Sequence, residues 1–134
     1  MSFLIFMRIL DLFFKKNGRR RIITVETKEK IQRDWKNVEV LLSQKGPSQL
    51  RQALITADKS LDNALKDIVD GETMGDRLKN AENLFERDEY NKIWEAHKVR
   101  NSLVHESGYE PPYFVVTKAV QDLKDALEKI GVRV

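Results

Sequence analysis

Cysteine is absent from the 134 residues of this chain, and proline occurs only three times. The lack of cysteine excludes disulfides and thiolate metal sites, and nothing in the sequence argues for an oxidising compartment. Charged residues make up 34% of the chain. Together with the scarcity of proline, this composition is typical of a helical domain rather than a sheet protein. The length predicts one domain that is large enough for a hydrophobic core.

Long apolar runs are also missing, apart from Phe3 to Phe14. These residues would span about 18 Å as a helix, which is short of a ~30 Å hydrocarbon core. A signal peptide has its positive charges before the apolar run, whereas here the basic cluster of residues 15–21 follows it. We therefore predict neither a transmembrane helix nor a secreted protein.

Residues 1–21 form an N-terminal appendage with two interpretations. We expect a cytoplasmic protein. The first interpretation is an amphipathic helix at an anionic membrane surface, which would make the protein peripheral at the inner face of the membrane. The second is a terminal helix that docks onto the bundle or a partner subunit. The contacting side chains would be Phe3, Phe6, Phe13, Phe14, Lys15, Lys16, Arg19, Arg20 and Arg21.

Residues 22–134 are predicted to form an all-α, antiparallel bundle of four main helices plus a short extra helix. Apolar residues at spacings of three and four, with Gly and Pro at the breaks, mark these elements. A capping box of Thr73 and Asp76 begins the short helix. The predicted helices are 27–43, 48–69, 73–85, 88–107 and 114–130.

The helix over residues 90–106 carries polar residues on its predicted apolar face. At ~100° per residue, His97, Arg100, Asn101 and His105 share an arc with Tyr90, Ile93, Trp94 and Val104. Ionisable groups on a core-facing arc need partners or a solvated cleft, because burying them unpaired costs several kcal/mol. This polar cluster is the main functional signal in the sequence.

Histidine and arginine together suit the cleavage of phosphate esters. Histidine exchanges protons at neutral pH, and the forked guanidinium of arginine binds phosphate oxygens. A metal site is not expected, because His97 and His105 would lie about 12 Å apart along the helix. No cofactor is predicted.

Two acidic residues, Asp58 and Asp62, border the inward face of the helix over residues 48–69. They are either solvated helix carboxylates or second-shell groups, one of which orients Arg100 across the core. His97 is interpreted either as a core histidine or as a second-shell member of the same site.

The segment Arg100 to His105, with sequence RNSLVH, resembles the R-x4-6-H motif of HEPN domains. The resemblance covers residues 27–131 and implies a homodimer whose motif helices meet near the two-fold axis. It implies metal-independent cleavage of RNA to 2',3'-cyclic phosphate ends, with His105 as acid/base, Arg100 as phosphate clamp and Asn101 as an orienting donor. A role as a toxin with a cognate antitoxin, or in RNA processing or defence, would follow.

Some HEPN toxins continue the motif as H-x-Y, and the corresponding position here is Ser107. Regulation through a modified tyrosine is therefore not expected. Because the main domain is close to neutral, the alternative is a non-catalytic interaction or nucleotide-binding module, localised by its N-terminal helix.

If residues 3–21 bind a membrane surface, the intact chain should sediment with anionic vesicles and a chain beginning at Thr24 should not. High salt should weaken the binding, because each basic residue contributes about 1 kcal/mol of screened attraction. Equal sedimentation of the two proteins would instead favour the docked-helix interpretation.

Overall fold

The computed structural model describes residues 21–134, which form five α-helices, one 3-10 turn and no strand. The predicted all-α class is confirmed for this part of the chain. The helices are α1 (Val25–Gln44), α2 (Pro47–Ile68), α3 (Met74–Asn80), α4 (Arg87–His105) and α5 (Tyr113–Lys129), and the 3-10 turn is Glu82–Leu84.

Local signals in the sequence set the helix ends. Thr24 caps α1 by accepting a hydrogen bond from the backbone N–H of Thr27. Lys45 ends α1 in a left-handed conformation with φ of 62°, and Pro47 begins α2, where a missing N–H costs nothing. Thr73 caps α3 by accepting a hydrogen bond from the N–H of Asp76, which is one half of the predicted capping box.

Helix α2 lies at the centre of the described bundle and packs against α1, α3, α4 and α5. Its inward stripe of apolar side chains is inaccessible to solvent and supplies the middle of the core. A connection of only two residues between α1 and α2 makes these helices antiparallel neighbours. The fully buried residues of α2 are Ala53, Leu54, Ala57, Leu61, Ala64 and Leu65.

Most helix boundaries fall within two residues of the sequence prediction, and the short helix is the exception. Its α-helical part ends at Asn80, and the segment predicted to continue to Phe85 becomes the 3-10 turn. Buried Ala81 and Phe85 flank this turn and pack into the core. Tertiary packing therefore overrides a helical continuation here.

The predicted N-terminal helix and residues 15–20 of the basic cluster lie outside the described residues. Arg21 is described, and its guanidinium donates to the Asp70 carboxylate at 2.8 Å. Its side chain is only 18% exposed, so Arg21 is engaged within the domain rather than free to meet lipid. Within residues 21–134, no helix combines the length and apolar character needed to cross a bilayer.

Truncating the centre of α2 should strongly destabilise the domain. Leu61 is completely buried, so Leu61→Ala should lower the free energy of unfolding by about 2–5 kcal/mol through lost burial and a cavity. The matched change Leu84→Ala, at an exposed leucine, should cost about 0.5 kcal/mol. Urea denaturation monitored by circular dichroism measures both, and equal losses would contradict the central position of α2.

Candidate functional site

Helix α4 buries a narrower face than its sequence predicts. The buried residues are Ile93, Ala96, His97 and Leu103, whereas Tyr90 and Trp94 are half-buried. Val104 is 38% exposed and His105 is exposed, so the last turn of the predicted apolar arc meets solvent. The predicted arc was centred too far toward His105, because packing of α4 on α2 and α5 turns Ala96 and Leu103 inward instead of Val104.

The Asp58 carboxylate is the buried centre of the candidate site. Asp58 is 2% exposed, and both of its carboxylate oxygens lie within hydrogen-bond distance of His97 Nδ1, at 3.0 and 3.2 Å. Burial raises the pKa of Asp58 above its ordinary value of 3.8, and the hydrogen bond and charge of His97, with the charge of Arg100, oppose that rise. The interpretation of Asp58 as a solvated helix carboxylate is therefore wrong.

Arg100 is anchored beside the same carboxylate. Its Nε lies 3.6 Å from Asp58 Oδ2, and one terminal nitrogen donates to Asn101 Oδ1 at 2.9 Å. The Nε is buried without a hydrogen-bond partner among the described residues, although 31% of the side chain is exposed. Asp58 thus holds Arg100 by charge, while part of the guanidinium reaches the surface beside Asn101.

Asp62, the other carboxylate considered as a partner of Arg100, binds Arg77 instead. Its two oxygens accept hydrogen bonds from Arg77 Nε at 2.6 Å and from a terminal nitrogen at 3.0 Å. Arg77 is itself buried and also donates to the Gly71 carbonyl at 2.7 Å. Hydrogen bonding to Asp62 raises the pKa of Arg77. Asp62 therefore fastens α3 to α2 and does not orient Arg100.

The sequence prediction missed Arg77. Asp62 and Arg77 are fifteen residues apart and lie on different helices, so no helical spacing connects them. The only local sign is the position of Arg77 next to inward-facing Leu78.

An aromatic pair closes the other side of His97. The Trp94 ring meets the His97 ring edge to face at a centroid distance of 5.9 Å, and Tyr90 meets Trp94 in the same way at 6.3 Å. Helix α3 approaches closely here, because a methyl group at Gly75 would lie 3.6 Å from Trp94. The His97 ring is therefore held between the Asp58 carboxylate and Trp94, and its Nε2 forms no hydrogen bond with residues 21–134.

His105, in contrast, is the exposed last residue of α4. No hydrogen bond or ion pair in the described range joins it to Arg100, which lies ~140° away around an ideal helix. The structure thus brings together Asp58, His97, Arg100 and Asn101, and it leaves His105 apart from them within one protomer.

Across residues 21–134, no group of three His, Asp or Glu side chains has the geometry to hold a metal ion. Comparisons with protein-family models, curated proteins and solved structures find no match to this chain. The likeness to HEPN domains therefore depends on the motif of α4 and the helical order alone.

Removing the Asp58 carboxylate should destabilise the domain, because His97 and Arg100 would lose their buried partner. We expect Asp58→Ala to lower the free energy of unfolding by about 1–3 kcal/mol at neutral pH. The control Asp34→Ala breaks the surface pair of Lys30 and Asp34 and should cost at most about 0.5 kcal/mol. Urea denaturation measures both changes, and equal losses would contradict the central role of Asp58.

The difference in unfolding free energy between the wild type and Asp58→Ala should also depend on pH. Because the folded state raises the pKa of Asp58, the native protein binds this proton more tightly than the unfolded chain does. Stability from this group is therefore lost as the pH rises from 3.8 through the folded pKa. The advantage of the wild type over Asp58→Ala should shrink across this window, and an advantage that grows would contradict the sign.

Proposed function

We propose that this protein is a HEPN-like, metal-independent endoribonuclease that acts as a homodimer and leaves 2',3'-cyclic phosphate ends. The observation that carries the proposal is the placement of Arg100. Its guanidinium lies beside the buried Asp58 carboxylate and donates a hydrogen bond to Asn101, and the Arg100 side chain is partly exposed. An anchored, accessible guanidinium suits the binding of an RNA phosphate, because its forked donors match two phosphate oxygens.

The residues take separate roles in one step. Arg100 binds the scissile phosphate and stabilises the charge that builds on its oxygens, and Asn101 orients the guanidinium. His105 exchanges a proton with the reacting oxygens, which its exposure permits.

A dimer is part of the proposal because Arg100 and His105 point in different directions on α4. A two-fold axis beside the helix would bring the His105 side chain of one protomer toward the Arg100 of the other. Half-buried Tyr90 and Trp94 and exposed Val104 supply apolar surface for such a seam.

A non-catalytic HEPN-like module is the second candidate, and the contact between Asp58 and Arg100 favours it. In this candidate, the role of Arg100 is structural: its positive charge compensates the buried Asp58 carboxylate and binds no phosphate. In this candidate the helical domain binds a partner or a nucleotide, and its N-terminal segment localises it.

The two candidates predict different RNA-cleavage results. His105→Ala should lower the rate about 10²- to 10⁴-fold without loss of helix content, because it removes a general acid or base. Arg100→Lys should also lose activity, since lysine keeps the charge but not the forked donors. The assay follows RNA cleavage by the purified dimer and identifies the end groups by their resistance to ligation.

Lys92→Ala is the matched control, because Lys92 is exposed, lies eight residues before Arg100 and points ~140° away from His105 around α4, and pairs with Asp88 on its own helix. It should retain wild-type activity, and a chelator should have no effect. Activity that requires a divalent ion, or that survives His105→Ala, would refute the mechanism. A dimer that cuts no RNA would favour the non-catalytic module.

A further inference from the structure

A groove of about 750 Å³ lies at the end of the bundle where the described chain begins. The residues just before α1, the end of α2, the 3-10 turn and the end of α5 line this groove. Ile22 is 71% exposed and Leu84 is 43% exposed. Large aliphatic side chains grouped at one groove indicate a surface that another segment covers. The apolar side chains of the groove include Ile22, Ile68, Val69, Leu84 and Ile130.

The chain enters this groove at a fixed point. Arg21 also lines the groove, and its ion pair with Asp70 at 2.8 Å holds residue 21 at the end of α2. Thr24 is held at the same end, because its backbone N–H donates to the Asp67 carboxylate at 3.1 Å. The segment that precedes Arg21 therefore starts at the rim of the groove.

The one long apolar run of the sequence lies within reach of this point. Only six residues, 15–20, separate Phe3 to Phe14 from Arg21. Fully extended, six residues span about 20 Å, so the run stays close to the groove. A short flexible linker gives the segments that it joins an effective concentration in the millimolar range. Docking of the chain's own segment is therefore favoured over docking of the same segment from a second molecule.

The phenylalanines of this run would share one side of a helix. At ~100° per residue, Phe3, Phe6, Phe13 and Phe14 would fall within an arc of about 100°. This is the width of the apolar stripe that a surface helix turns toward a core. The sequence thus supplies an apolar face for the apolar side chains that the groove exposes.

The charges favour the same pairing. The basic cluster of residues 15–21 follows the apolar run, and the carboxylates of Asp67 and Asp70 lie at the end of α2, where the last carbonyl groups also favour cations. Asp70 remains 61% exposed. Lys28 and Lys129 line the groove itself. The basic cluster is therefore matched to the carboxylates, and the apolar run is matched to the groove.

We propose that Phe3 to Phe14 docks in this groove of its own chain, with the phenylalanine arc against the apolar side chains and the basic cluster beside the end of α2. Docking completes the core at this end of the bundle and withholds the phenylalanines from a lipid surface. It is independent of the proposed ribonuclease function. The groove is remote from the candidate site, because Asp58 lies ten residues before Ile68, about 15 Å along α2.

Cross-linking in the full chain tests the docking, since the wild type has no thiol. Asp11→Cys would lie beside the phenylalanine arc, and Leu84→Cys lies in the groove, so a short thiol cross-linker should join the two within one chain. The matched control pairs Asp11→Cys with Val40→Cys, an exposed position about 22 Å along α1 from Val25. This second pair should not link. Equal linking of both pairs, or a two-chain product from the first, would overturn the proposal.

Thiol labelling measures how far the segment covers the groove. In the variant Leu84→Cys, adding Phe6→Ser and Phe13→Ser should speed labelling about tenfold, which corresponds to nine docked chains in ten. Adding Ile5→Ser and Leu12→Ser is the matched control, because these positions lie on the opposite side of the same helix, and it should leave the rate unchanged. Equal acceleration by both pairs of substitutions, or by neither, would overturn the docking of the phenylalanine arc.

A membrane surface is the competing partner of the phenylalanine arc. With the arc docked, the wild type should stay in solution when it is centrifuged with vesicles of phosphatidylserine and phosphatidylcholine. Sedimentation of the wild type, together with no link between residues 11 and 84, would overturn the docking and assign the segment to the membrane.

Discussion

The buried Asp58 carboxylate is the constraint on which the rest of the site depends. A carboxylate at 2% exposure is costly unless cations or donors surround it, and here His97 and Arg100 provide them from the facing helix. This requirement fixes the rotation of α4 against α2 more strictly than apolar packing alone would. It also places the buried ring of His97 next to Arg100, whose side chain is 31% exposed.

Both proposed roles of the domain depend on this cluster, but they differ in whether its side chains bind a phosphate or only hold α2 and α4 together. In the ribonuclease, the cluster is preorganised: Asp58 positions groups whose remaining donors meet a phosphate. In the non-catalytic module, the ion cluster specifies how α2 and α4 pack, which apolar side chains could do at less cost. The 31% exposure of the Arg100 side chain makes the first role the stronger proposal.

The helices could be predicted well because their ends are set by local signals. Thr24 and Thr73 are N-cap residues, and Pro47 is the first residue of α2. The sequence also singled out Asp58, His97, Arg100 and Asn101 before their contacts were known. It could not choose between Asp58 and Asp62 as the partner of Arg100, since that depends on how α2, α3 and α4 rotate against one another. Arg77 competes for Asp62 from fifteen residues away, and only the folded structure contains that pairing.

The attachment of α3 to α2 has a consequence for local opening of the structure. Helix α3 has only seven residues, too few to be stable alone, so the Arg77 fork on Asp62, the bond to the Gly71 carbonyl and the completely buried Leu78 hold it in place. Such a segment is suited to detach before the domain unfolds as a whole. Because Gly75 lies against Trp94, each detachment would uncover the ring that supports His97. The support that Trp94 gives to His97 therefore depends on α3 staying in place, and thus in part on the ion pair of Arg77 with Asp62.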